Sequence, residues 1–214
     1  MIYHQEGLGK KQIEILNRIG SFIKMRGFYL GGGTALSIYF GHRKSIDLDW
    51  FTTDKMGDAL VLAESLRSMD FDFVTKGTAP GTLHGTINGI RVSFFEFRYP
   101  PLHSFTTWNE GNCSLASLDD LACMKLSAIA QRGLRKDFCD LYFLGKEHCS
   151  LSRMLDLYKQ KYGIEDIAPV LYGLAYFDDA EEEPMPSMIV RVTWKTIKGT
   201  IQDWVRELSH MLWK

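Results

Sequence analysis

The sequence predicts an α+β protein, with a mixed-sheet lobe followed by a mostly helical lobe. Apolar and polar residues alternate with the period of a strand at 45–51 and again across a hairpin at 82–97. After Pro100-Pro101, apolar residues recur instead at the three- and four-residue spacing of helices. We therefore expect two domains, residues 1–110 and residues 111–214.

The first lobe is expected to combine helices with four or five strands. The expected helices cover 11–23 and 34–40, and a third begins at Thr53-Asp54 with Leu60 on its buried side. The expected strands are 28–30, 46–51, 71–74, 82–87 and 90–97. Asn88-Gly89 between the last two is the preferred two-residue hairpin turn.

The second lobe is expected to be built from helices. Ser117 is a candidate N-cap for the first, because Asp120 follows at the third helical position. Further helical stretches are predicted at 136–144, 151–162, 167–176 and 194–212. The acidic run at 178–184 is predicted to be a solvated loop.

Composition is typical of an ordinary globular protein. The 214 residues include 25 basic and 26 acidic side chains, which gives a net charge of −1. The overall charge therefore does not predict binding to nucleic acid, which would require a local basic patch. The four cysteines form no Cys-x-x-Cys pair and have no histidine at zinc-ligand spacing, so reduced thiols are expected. Without a signal peptide or a long apolar run, a cytoplasmic protein that does not contact membranes is expected.

Two carboxylates in the segment 45–51 suggest a cation site. Asp47 and Asp49 share one face of the predicted strand, while Ile46, Leu48 and Trp50 share the other and anchor it in the core. Adjacent carboxylates repel each other unless a cation lies between them. Mg²⁺ typically binds one or two carboxylates together with substrate phosphates.

The glycine run Gly31-Gly32-Gly33 precedes a short helix just upstream. Backbone N–H groups at such a turn hold phosphates, so the two features together indicate a nucleoside triphosphate site. Taken singly, an Asp-x-Asp pair is also typical of a solvated strand face, and a glycine triplet of a tight turn.

A second group of charged residues lies in the helical lobe. Arg132 and Lys136 are four residues apart, as are Lys136 and Asp140, so each pair shares a helix face if the helix is continuous. Lys125 stands among apolar residues and either reaches solvent or points into the cleft between the lobes at an anion. A surface ladder of ion pairs is the alternative interpretation.

These residues resemble a known family. The segments Gly-Gly-Gly-Thr-Ala-Leu from 31 and Gly-His-Arg-Lys-Ser-Ile-Asp-Leu-Asp-Trp-Phe from 41 look like the nucleotidyltransferase-type toxins of the AbiEii/AbiGii group. The later Lys-Leu, Arg and Lys-Asp-Phe-Cys-Asp-Leu resemble that group's second signature. The resemblance spans residues 31–141, and its first motif is shared with polymerase-β-like nucleotidyltransferases.

The resemblance implies a polymerase-β-like lobe that transfers a nucleotide from an NTP with Mg²⁺ (or Mn²⁺), in the toxin half of a bacterial toxin–antitoxin or phage-defence pair. The acceptor it implies is RNA, notably tRNA, and the implied protein partner is a cognate antitoxin. Asp47 and Asp49 match the metal ligands, and Gly32, Gly33 and Thr34 match the phosphate-holding turn. The remaining candidates are Lys125, Lys136 and Asp140 for catalysis, with Asp137 in the same motif, and Arg43, Ser45 and Arg132 for the phosphates.

The sequence departs from the superfamily pattern at its third carboxylate. The position expected to hold it is Ser93. Glu96 is nearby, but an odd offset along the strand puts it on the other face, unless a bulge returns it to the metal.

Two other functions therefore stay open. One is a non-catalytic module that binds a nucleotide or a partner on the same fold. The other is transfer to a small molecule, such as an antibiotic, or to a protein. The sequence does not identify the NTP.

Overall fold

The computed structural model describes residues 2–69 and 71–212. Seven strands form one sheet in the order β3-β4-β5-β2-β1-β7-β6. The strands are β1 (Tyr29–Leu30), β2 (Leu48–Thr52), β3 (Phe73–Ala79), β4 (Thr82–Ile87), β5 (Ile90–Glu96), β6 (Thr106–Trp108) and β7 (Cys113–Leu115).

The sheet is mixed, as predicted. Strand β2 pairs with β5 in parallel and β1 pairs with β7 in parallel, whereas the other neighbours are antiparallel. Parallel neighbours need crossover connections, so residues distant in sequence meet at the centre of the sheet. The register sets Asp49 opposite Ser93.

Helices surround the sheet and form most of the second half. Those of the first half are α1 (Lys10–Met25), α2 (Gly32–Phe40) and α3 (Ala59–Arg67). Those of the second half are α4 (Leu118–Gln131), α5 (Arg135–Glu147), α6 (Leu151–Tyr162), α7 (Ala168–Ala175), α8 (Asp178–Glu182) and α9 (Trp194–Leu212). A bilayer-spanning helix would need about 20 apolar residues, and none of these helices provides such a stretch.

Short sequence motifs correctly predicted a hairpin turn and the start of a helix. The hairpin turns at Asn88 and Gly89, whose φ angles of +49° and +82° suit the turn that matches strand twist. The Ser117 hydroxyl accepts a hydrogen bond from the Asp120 backbone at 3.1 Å, which confirms the predicted cap of α4.

The core lies between the sheet and its helices, and it corrects two expectations. Leu48 and Trp50 are fully buried on one face of β2, as predicted. Ile46 does not join them: the strand begins only at Leu48, and the Ile46 side chain is 64% exposed. Leu60 is also exposed, because α3 begins at Ala59 and buries Leu62, Ala63 and Leu66 instead.

Three boundaries also differ from expectation. Helix α2 begins at Gly32 with Gly31 as its N-cap, two residues before Thr34. Strand β7 follows residue 110, so the sheet extends past the expected boundary, and the division into 1–110 and 111–214 stays a prediction. The acidic run forms the short helix α8, because Arg135 Nε donates to the Ala180 carbonyl at 2.6 Å and Lys198 pairs with Glu181 at 2.7 Å.

Candidate active site

The glycine run connects β1 to α2 beside the carboxylates. The Gly31 N–H donates to the Asp49 carbonyl at 2.9 Å, which ties the loop to β2. Gly32 has φ +62°, and a β-carbon there would lie 3.0 Å from Asp49 Oδ2. Only glycine therefore lets the start of α2 approach this carboxylate so closely.

Asp47 and Asp49 lie on the same side of the β2 segment but in different surroundings. The Arg91 guanidinium, with Nε 2.8 Å from Asp47 Oδ1, neutralises Asp47. Burial raises the pKa of Asp49, and the charge of Asp47 raises it further, although Lys125, a hydrogen bond from Ser93 and Lys136 act in the opposite direction. A buried carboxylate with a raised pKa beside a second carboxylate is a place where a cation would be stabilised.

Thr34 and Ser45 hold the two loops together behind the carboxylates. Both side chains are buried. The Thr34 hydroxyl donates to the Asp47 carbonyl oxygen, so Ser45 Oγ is the donor in its 2.7 Å contact with Thr34. These two hydroxyls position the backbone through hydrogen bonds within the protein.

Charged side chains meet beneath the glycine loop in what we call the buried ionic cluster. Asp140, which is fully buried, accepts from His42 Nε2 at 2.7 Å and from Arg43 Nε at 2.7 Å and Nη2 at 2.8 Å. Lys125 Nζ lies 2.7 Å from Asp140 and 2.8 Å from Asp137. The cluster comprises His42, Arg43, Lys125, Arg132, Asp137 and Asp140.

The cations of the buried ionic cluster keep its two carboxylates ionised. Burial favours protonation of Asp140, but Arg43 and Lys125 outweigh it and hold the pKa of Asp140 well below its ordinary value. Burial also opposes ionisation of Asp137, yet Lys125 and Arg132 lower its pKa. Each carboxylate has more than one cationic partner, so removal of one acid would leave buried cations uncompensated.

This cluster gives three of the predicted residues partners within the protein. Arg43 lies behind the glycine loop with Nε, Nη1 and Nη2 all hydrogen-bonded to protein oxygens. Lys125 does face the cleft, but its ammonium is bound to two carboxylates. Asp140 orients Arg43 and Lys125. The break between α4, which ends at Gln131, and α5, which begins at Arg135, separates Arg132 from Lys136.

Lys136 remains as a cation available to a ligand. It is half-buried and has no ion pair within the described part of the chain, and its charge acts on Asp49. Arg132 is the second cation there: its side chain is 51% exposed while Nε holds Asp137 at 2.9 Å.

A cleft of about 330 Å³ opens in front of these groups. One end is polar and contains Gly32, Asp49 and Arg132. The other end is aromatic, with Phe51 stacked on Phe95 at 5.2 Å between ring centroids. The aromatic lining is completed by Phe97 and Tyr162.

Glu96 does not join this site. It pairs in register with Thr52, three residues along β2 from Asp49, and faces the opposite side of the sheet from Ser93. Its carboxylate instead accepts from the Met56 backbone at 3.1 Å and from Arg98 at 2.6 Å. The bulge that would return Glu96 to the metal is absent from the β2–β5 pairing.

Two residues at the site were missed from the sequence. Arg91 contacts Asp47, and His84 Nδ1 lies 3.1 Å from Ser93 Oγ. Both share with Ser93 the face of the sheet that carries the carboxylates, because Arg91 is two residues before Ser93 and His84 is opposite Ser93 in the neighbouring strand. Correct strand register alone would have identified them.

A mixed sheet with paired carboxylates beside a glycine-initiated helix defines a nucleotidyltransferase. The family "Nucleotidyl transferase AbiEii toxin, Type IV TA system" matches residues 14–110. The matched residues include the glycine run and both carboxylates, and this part of the chain is similar to those nucleotidyltransferase toxins. It is also 40% identical over 205 residues to the uncharacterized protein aq_aa25 of Aquifex aeolicus, covering 94% of this chain and 97% of that protein.

The fold has a similar counterpart among solved structures. The nucleotidyltransferase toxin MenT4 of Mycobacterium tuberculosis superposes with a TM-score of 0.59 at 14% sequence identity. The match covers 92% of this chain and 82% of MenT4. At this identity the likeness shows the fold, which confirms the predicted nucleotidyltransferase architecture with a following helical part.

Proposed function

We propose that this chain transfers a nucleotide from an NTP to an RNA acceptor. One observation carries the proposal: Asp47 and Asp49 lie beside the N-terminal glycines of α2, and Lys136, which has no ion pair among the described residues, acts on Asp49. Acids, backbone donors and a free cation are the groups that an NTP and its metal ion require.

The carboxylates fit a divalent cation such as Mg²⁺ or Mn²⁺. Their oxygens are the hard ligands that these ions prefer, and Asp49 lacks a close cationic partner of its own among the described residues. Asp47 and Asp49 would hold the ion, which when bound neutralises charge that develops on the phosphates. Arg91 would give up part of its contact with Asp47, which its 67% exposed side chain allows.

The remaining groups bind and orient the nucleotide. Backbone N–H groups at Gly32 and Gly33, with the Lys136 ammonium, would hold the β- and γ-phosphates. The aromatic end of the cleft offers Phe51 and Phe95 to a nucleobase. Transfer forms a bond between the acceptor hydroxyl oxygen and the α-phosphorus and releases pyrophosphate, while the hydroxyl proton passes to solvent.

The family match over residues 14–110 supports the biological part of the proposal. The AbiEii toxins are described as components of type IV toxin–antitoxin systems. We infer that this chain acts in the bacterial cytoplasm on RNA, with tRNA as the first acceptor to test, and that a cognate antitoxin opposes it.

The test is nucleotide transfer to total tRNA with each α-labelled NTP and Mg²⁺. Wild-type protein is compared with the double variant Asp47→Ala, Asp49→Ala, and Asp156→Asn on an exposed face of α6 is the matched acidic control. The expected result is label in RNA for the wild type and the control and none for the double variant. Equal labelling by the double variant would refute the proposal.

A second candidate function is nucleotide binding without transfer. Ser93 favours it, because this hydroxyl stands opposite Asp49 where the superfamily has a third carboxylate. It predicts Mg²⁺-dependent NTP binding that requires Asp49 and yields no labelled product with any acceptor. Calorimetry with NTP and Mg²⁺, run beside the transfer assay, separates the two functions.

A further inference from the structure

A second group of metal-binding side chains lies outside the cleft. Asp119, His148 and Cys149 place a carboxylate oxygen, an imidazole nitrogen and a thiol sulfur within 4.8 Å of one another. Sequence spacing hides this group, because Asp119 stands in the first turn of α4 while the other two follow α5. The absence of a zinc motif in the sequence therefore did not exclude a site formed through space.

A second histidine supports the carboxylate. Asp119 Oδ1 lies 2.6 Å from His148 Nε2, and Asp119 Oδ2 lies 2.8 Å from His103 Nε2. His103 comes from the segment after β5, so three separate parts of the chain meet here. Ligands held by a second polar partner are typical of built metal sites, because the partner fixes the orientation of the ligand.

Cys149 distinguishes this group from a plain histidine–carboxylate hydrogen-bond network. The two histidine–carboxylate hydrogen bonds do not involve the thiol. The Cys149 sulfur lies within 4.8 Å of ligand atoms of both Asp119 and His148. A metal ion among the three would bind the sulfur as a thiolate and release its proton.

The set of donors selects the kind of ion. Thiolate and imidazole are ligands for Zn²⁺ and similar transition ions, whereas Mg²⁺ prefers oxygen. An ion between His148 and Asp119 would take the place of their shared proton. The nitrogen and oxygen would then separate from 2.6 Å to about 3.3 Å, as tetrahedral bonds near 2.0 Å require.

We propose that Asp119, His148 and Cys149 bind one Zn²⁺-class ion, with His103 as the residue that positions Asp119 and water as the fourth ligand. The site is distinct from the proposed catalytic carboxylates. Asp119 precedes Lys125 by six positions on α4, which corresponds to about 9 Å along the helix axis. The ion would fasten the segment after β5 to the start of α4 and to the α5–α6 junction.

The test measures zinc directly and does not depend on transferase activity. Full-length protein without a histidine tag is stripped with a chelator, incubated with Zn²⁺ and desalted, and its metal content is determined by mass spectrometry. The expected result is one zinc per wild-type chain, a rise in melting temperature on zinc addition, and thiolate-to-metal absorption after replacement by Co²⁺.

Variants link the ion to its ligands. Cys149→Ser and His148→Gln should weaken zinc binding about tenfold or more, and His103→Gln about tenfold through loss of orientation. His4→Gln, a histidine paired with Glu6 away from the group, is the matched control and should bind zinc normally. Each variant should melt like the wild type in chelator, so that a folding defect is recognised.

Two results would overturn the proposal. One is no retained zinc in the wild type together with an unchanged melting temperature. The other is a full equivalent of zinc in Cys149→Ser with no thiolate absorption in the wild-type cobalt form. None of these measurements involves nucleotide transfer, so failure of the zinc-site proposal can be distinguished from failure of the proposed function.

Discussion

Gly33 and Arg43 are packed so closely that a β-carbon on Gly33 would lie 2.2 Å from Arg43 Nη2. The same nitrogen donates to Asp140 Oδ2 at 2.8 Å, so the guanidinium has no free direction in which to move. The glycine loop thus lies directly on the buried ionic cluster. The position of the backbone that we propose binds phosphate depends on a salt bridge to the helical part of the chain.

We expect Gly33→Ala to lower the free energy of unfolding by about 1–3 kcal/mol, because the added methyl group overpacks Arg43. Gly199→Ala in α9 is the matched control, because its β-carbon would meet nothing within 4 Å. Helix propensity predicts that this change raises stability by about 0.5–1 kcal/mol. Urea unfolding measures both, and equal stability of Gly33→Ala and the wild type would contradict the packing argument.

Asp140→Asn should be far more damaging than an equivalent change at the surface. It removes the charge that balances Arg43 and Lys125, and a buried pair broken on one side costs about 3–5 kcal/mol. Asp203→Asn breaks an exposed pair with Arg206 and should change stability little. Chemical denaturation measures the free energy of unfolding of both variants. A similar small decrease in each would show that the charges of the cluster are not strongly coupled.

His42 should make stability depend on pH above the range in which carboxylates titrate. Burial lowers the pKa of His42 below its ordinary value of 6.5, although Asp140 raises it, and the charges of Arg43 and Lys125 lower it further. Below pH 6.5 the unfolded chain therefore takes up a proton at this residue that the native state does not bind. This contribution to stability is complete above pH 6.5 and declines on acidification, by at most about 1.4 kcal/mol per pH unit.

Unfolding free energies of the wild type and His42→Gln between pH 5 and 7 test this prediction. The slope should be smaller in His42→Gln than in the wild type. Identical slopes in wild type and His42→Gln would show that His42 does not titrate differently on unfolding.

Lys136→Ala should weaken NTP binding about tenfold to a hundredfold while the protein stays folded. The ammonium has no ion pair in the described part of the chain, so its loss leaves no buried charge uncompensated. One charge-assisted hydrogen bond to a phosphate contributes about 1.5–3 kcal/mol. Calorimetric titration with NTP and Mg²⁺ measures the change, with Lys146→Ala at the other end of α5 as control. Equal weakening by both variants would indicate a diffuse charge effect.

The sequence predicted elements whose signal is local. Asn88-Gly89 and the alternation around Asp47 and Asp49 are readable because turn geometry and strand period involve only neighbouring residues. Strand β7 was missed because it has three residues and is stabilised by parallel pairing with β1, far away in the chain. Short strands of this kind have no periodicity to detect.

The candidate site was predicted at the level of residue types and less well at the level of contacts. Arg43 and Asp140 were both singled out, yet they are 97 positions apart, and no spacing rule connects them. The sequence therefore directed Arg43 towards phosphate, whereas the fold gives it a carboxylate partner. His84 and Arg91 were overlooked because their importance follows only from the register of β4 and β5.

The distance along the chain between Arg43 and Asp140 also bears on synthesis of the protein. The ribosome releases the glycine loop and its two candidate metal ligands early, but the carboxylate that neutralises Arg43 appears only with α5. Domains form as their parts emerge, N-terminal parts first. A nascent chain stalled before α5 has the glycines that we propose bind phosphate but lacks the carboxylate that holds Arg43 beneath them, so a truncated product is expected to be inactive in nucleotide transfer.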